Sequence, residues 1–78
     1  MTLERIKVNP ARMNGQPTIR DLRLTVKRVV ELVALYPDRN QLYLEYPELT
    51  EEDIRQALIY AAASLEDQVI EFTYETVA

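Results

Sequence analysis

The chain has 78 residues, a net charge of −4 and an apolar content of 47%. That length allows one small folded domain and no second core. The absence of Cys removes a disulfide framework and a cysteine metal site, and the absence of His removes the usual general base and the commonest metal ligand.

A core this small keeps little net stability, so self-association is the expected extra support, and a homodimer is the expected form. No apolar run approaches the length of a membrane span, and the N-terminal residues lack a signal-peptide apolar region. The expected location is the cytoplasm. The charge is unevenly spread. Residues 1–40 hold eight basic and four acidic side chains, net +4, whereas residues 41–78 hold one basic and nine acidic, net −8. Such asymmetry suits an anion-binding half and a half that meets a basic partner, or simply a solvated surface.

Within Met1 to Val8, the alternation Arg5-Ile6-Lys7-Val8 predicts a short strand, apolar on one face and basic on the other. Asn9-Pro10 punctuates it, with Asn9 placed to cap one turn through Met13. Gly15 is the only glycine, so a positive φ is expected there. Pro17 forces extended geometry before it. Thr18-Ile19-Arg20 and Arg23-Leu24-Thr25-Val26 read as two short extended pieces that complete a ribbon with residues 5–8. Such a ribbon must pack on helices or on a second copy.

The first helix is expected over Lys27 to Tyr36, capped by Thr25, with Val29, Val30, Leu32, Val33 and Leu35 making it largely buried. Pro37 ends it. A short second helix, Arg39 to Glu45, is capped by Asp38 or Asn40 and contributes Leu42, Tyr43, Leu44 and Tyr46 to contacts. The third has the strongest start signal in the chain. Thr50 is a good N-cap, Asp53 can reach back to it as in a capping box, and Leu49 and Ile54 form a hydrophobic staple. Glu51, Glu52 and Asp53 suit the positive end of the helix dipole. The helix is expected to reach about Gln68, with a stripe of Ile54, Ala57, Leu58, Ala61, Ala62, Leu65 and Val69. Tyr60 lies beside that stripe. Residues 1–68 thus form one ribbon-plus-three-helix domain. Residues 69–78 are an apolar tail or helix extension, whose Ile70, Phe72 and Tyr74 alternate as in a strand and suit docking to a partner or packing back on the domain.

Two blocks carry a resemblance. The first is Ile6-Lys7-Val8-Asn9-Pro10 with Met13-Asn14-Gly15-Gln16-Pro17-Thr18-Ile19-Arg20 and Arg23-Leu24-Thr25-Val26; the second runs from Tyr46-Pro47-Glu48-Leu49-Thr50 through Glu51-Glu52-Asp53-Ile54-Arg55-Gln56-Ala57-Leu58. Together they resemble domain of unknown function family 433, small proteins of bacteria and archaea. Asn14 stands where a second glycine is common, and Asp21-Leu22-Arg23 where Gly-Thr-Arg is usual. The resemblance implies a mainly α, helix-turn-helix-like trihelical fold with an N-terminal ribbon. It also implies an antitoxin-like role beside a PIN-like toxin nuclease, with possible operator-DNA binding. No cofactor, metal or enzymatic activity is implied, and no residue constellation suggests catalysis.

Arg5, Lys7, Arg20, Arg23, Lys27 and Arg28 are the candidate DNA contacts, because phosphate contacts supply much of DNA affinity. Tyr60, Ile70, Phe72 and Tyr74 are the candidate partner contacts. A standard recognition helix would bring the first turn of helix three to the bases, but three carboxylates there would repel phosphates. The ribbon is the better DNA reader on this basis. A protein-interaction module without DNA binding is the alternative.

Overall fold

The computed structural model describes residues 2–65. The tail residues Ile70, Phe72 and Tyr74, and Val69 of the expected stripe, lie outside the described residues.

The ribbon is two strands, β1 (Ile6–Val8) and β2 (Pro17–Ile19), paired antiparallel with Ile6 opposite Ile19, Lys7 opposite Thr18 and Val8 opposite Pro17. Their connection begins with an Asx turn, in which the Ala11 N–H donates to Asn9 Oδ1 at 2.9 Å. It ends in one left-handed turn, Met13–Gly15, with φ of +49°, +58° and +78°. Asn tolerates this region better than most residues, which suits Asn14 to this turn.

The expected third extended piece is not a strand. Leu24 O accepts from the Ile19 N–H at 2.9 Å, and Thr25 makes a single bridge with Thr18. The Thr25 hydroxyl accepts the Arg28 N–H at 3.0 Å, so Thr25 caps α1 (Val26–Leu35), and Val26 becomes its first residue. Cap chemistry overrides the β-branched pattern here. Val26, Val29 and Leu32 form the buried face of α1, while Leu35 is 64% exposed, so burial covers less of the helix than its composition predicts.

Asp38 caps α2 (Arg39–Glu45) by accepting the Asn40 N–H at 2.9 Å. Leu42 is fully buried, but Leu44 is 78% exposed rather than a contact residue. A seven-residue helix spans only two turns, and its one core-facing row is filled by Leu42.

α3 (Glu51–Ser64) opens with the expected capping box: Thr50 Oγ1 accepts the Asp53 N–H at 3.2 Å, and Asp53 Oδ2 accepts the Thr50 N–H at 3.0 Å. Leu49 and Ile54 are both buried, as a staple requires. The helix stops at Ser64, short of the expected Gln68, because Leu65 takes an extended backbone (φ −84°, ψ 134°). α1 packs mainly on α3, α2 packs against α1, and the ribbon lies against both α1 and α3. Ile19, Val26, Val29, Leu32, Leu42, Leu49, Ile54 and Ala57 form the core. The result is a mainly α trihelical domain with an N-terminal two-stranded ribbon. No described helix is long and apolar enough to cross a membrane.

Candidate functional site

The ribbon meets α3 at a fully buried carboxylate. Asp53 has no exposed surface, and it accepts from two arginines. Arg20 forks onto it, with Nε to Oδ1 at 3.0 Å and Nη2 to Oδ2 at 2.7 Å. Arg5 Nη1 donates to Oδ1 at 2.9 Å and to Thr50 Oγ1 at 3.1 Å. With the Thr50 N–H, every side of the carboxylate has a donor. Burial alone would push the Asp53 carboxyl up, but hydrogen bonds from Arg20, then Arg5 and the Thr50 backbone, outweigh it. The group is held well below the usual carboxylate range and stays charged.

The backbone that delivers Arg20 is unusual. Arg20 has a φ of +46°, at the start of a turn closed by the Leu22 N–H to Ile19 O at 2.8 Å. A left-handed arginine costs on the order of 1–2 kcal/mol. The fork onto Asp53, a second bond from Nη2 to Glu48 O at 2.8 Å and the Arg20 N–H to Arg5 O at 2.7 Å hold it there. Asp21, which follows Arg20, does not have a positive φ, so its backbone is unstrained.

Gln56 is a second buried polar anchor. Its Oε1 accepts the Arg5 N–H at 2.9 Å, and its Nε2 donates to Glu52 at 2.9 Å and Glu4 at 3.2 Å. Glu52 also takes a fork from Arg55 and is pushed down to about 2 by Arg55 first and Gln56 second. Glu51 accepts from the Tyr43 hydroxyl and pairs with Arg39 at 3.4 Å. All three acids of the first turn of α3 are therefore engaged within the protein.

These contacts reassign part of the basic set. Arg5 and Arg20 serve Asp53, with about a third of each side chain exposed in a cleft that also holds Lys7, Glu4, Asp21 and Glu48. The acids there match the bases, so the cleft offers a phosphate no excess of positive charge. Lys7 and Arg23 are exposed and make no ion pair among the described residues. Lys27 and Arg28 are exposed in the first turn of α1, where Arg28 pairs with Glu31 at 3.3 Å. Only Arg5, Lys7 and Arg20 are brought together.

Tyr60 is half-buried and lines an apolar groove of about 510 Å³ between α1 and the end of α3. Pro17, Val26, Val30, Ala61 and Leu65 complete its walls. Sequence reasoning did not assemble this groove, since its walls come from three separate segments. Gln56 was also missed, although a lone amide between Ile54 and Ala57 on an apolar stripe is a readable signal. Among the described residues no group of three or more acidic, His or Cys side chains could hold a metal ion.

Fold and site together define a small ribbon-and-trihelix domain locked by a buried Asp between two arginines, with an apolar groove on another face. The chain belongs to the family described as "Protein of unknown function (DUF433)", which matches residues 6–61. No curated protein and no solved structure matches it.

Proposed function

We propose that this protein is a non-catalytic, antitoxin-like interaction module whose partner is a PIN-like toxin nuclease. The observation that carries this reading is a pair of large apolar side chains left in water: Leu35 and Leu44, in consecutive helices, are 64% and 78% exposed. Exposed leucines of this kind are surface that a partner protein can cover. The acidic half of the chain suits a partner whose own surface is basic enough to hold nucleic acid. Leu44→Glu should leave helix content and melting temperature almost unchanged, yet abolish co-purification with the product of the adjacent gene. Co-purification that survives this change would remove the leucines from the interface. An adjacent gene product that never co-purifies with the unaltered chain would overturn the reading.

Operator DNA is a second proposed ligand, supported by Lys7 and Arg23, exposed cations with no ion pair among the described residues. Lys7→Ala with Arg23→Ala should weaken binding to a fragment of the protein's own promoter and reduce the slope of log K against log salt by roughly two. Arg5 and Arg20 do not belong in that test, since replacing them strips Asp53 of its partners. If the unaltered protein does not bind the fragment at low salt, a protein-only module is the correct reading. The acidic first turn of α3 does not suit a major-groove helix, so in the operator-DNA reading the ribbon side carries the DNA contacts.

A further inference from the structure

We infer that the groove between α1 and α3 is a self-association surface, filled by a second copy of this chain about a two-fold axis. The inference does not depend on the antitoxin reading. Pro17, Val26, Val30, Tyr60 and Ala61 form the apolar floor and walls. The α1 edge of the groove carries one cation and one anion, Lys27 and Glu31, a single helical turn apart.

That pair identifies the occupant. A two-fold contact is made by the same patch on both molecules, so the patch must complement itself. When two α1 helices meet antiparallel, Lys27 of each faces Glu31 of the other, and both charges are matched without any further residue. The exposed Glu31–Arg28 pair within one chain is compatible with this, because a surface carboxylate accepts from two cations at little cost. Leu65 is 76% exposed and sits at the groove's end. Leu35 and Leu44 do not line this groove.

The test is the mass of the full chain in solution, by sedimentation equilibrium over a concentration series. A particle of twice 9.1 kDa is expected. Val30→Arg should give a monomer with unchanged circular dichroism. Lys27→Glu and Glu31→Lys should each weaken the dimer about tenfold, since each creates two like-charge contacts across the axis. The double change, Lys27→Glu with Glu31→Lys, should restore the original dissociation constant. That rescue separates a contact between copies from a merely structural role, and it remains informative if Val30→Arg fails to fold. A monomer at every concentration overturns the inference. So does a dimer indifferent to the charge changes. A monomer that Val30→Arg destabilises shows the groove filled from within the chain, and this too overturns it.

Discussion

Replacing Asp53 by Asn lowers the stability of the domain by about 3 kcal/mol, read as a shift of the urea midpoint at constant slope. The side chain keeps its shape, and one oxygen can still accept the Thr50 N–H, so the helix cap partly survives. The charge does not. Arg5 and Arg20 are left facing one another without the carboxylate that separates them, and the forked pair at 2.7 and 3.0 Å loses its anion. About a third of each arginine reaches water, which places the loss at the lower end of what breaking a buried pair costs.

The same variant should change the response to acid. The Asp53 carboxyl is lowered in the folded protein, so its contribution is complete above the ordinary carboxylate range, begins to fall within it, and is lost as the pH drops on through the lowered folded-state value. The advantage of the unaltered protein over Asp53→Asn should therefore be constant above about pH 5 and shrink by about 1 kcal/mol at pH 3. Glu52, lowered to about 2, loses its contribution over the same acid range in both proteins and does not distort the comparison. A gap that stays the same from pH 7 to pH 3 would show that the charge of the Asp53 carboxylate is not what stabilises the folded protein.

Ile54→Ala is the second large effect, at about 3 kcal/mol. Ile54 has no exposed surface, and it joins the staple with Leu49 to the core around Leu42 and Val29. In a domain of this size the loss should lower the melting temperature by more than about 10 °C. Leu58→Ala, four positions along the same helix, removes a side chain that is 38% exposed and should cost less than about 1 kcal/mol. Equal losses at the two positions would contradict the packing described for α3.

What the sequence revealed and what it concealed divide along chain distance. Thr25, Asp38 and Thr50 all cap helices as their local spacing predicts, because each contact spans two or three residues. The positive φ of Gly15 was legible for the same reason. The two roles of Asp53 show the boundary. Its bond to Thr50 is readable from three positions away, whereas Arg5 and Arg20 lie 48 and 33 positions away, and nothing in one sequence pairs them. The basic residues therefore looked like a single phosphate-binding set, and two of them turned inward. Helical periodicity failed in another way. It marks every apolar residue on a stripe, but a small core covers only the middle of that stripe, so Leu35, Leu44 and Leu58 are left outside. Leu24-Thr25-Val26 looked extended because β-branching and capping favour the same residue types, and the cap prevailed.

The lock at Asp53 also bears on the order of events as the chain is made. Synthesis delivers Arg5 and Arg20 well before Asp53. Until then two like charges must lie side by side if β1 and β2 pair, and a two-stranded ribbon has little to set against that repulsion. The ribbon, although it precedes α3 in the chain, is thus the last element to settle. It waits for α3 to emerge and supply both the carboxylate and the Gln56 side chain that accepts the Arg5 N–H. A nascent chain that stops short of Asp53 should have an open ribbon, and one in which α3 has cleared the exit tunnel should carry the closed domain.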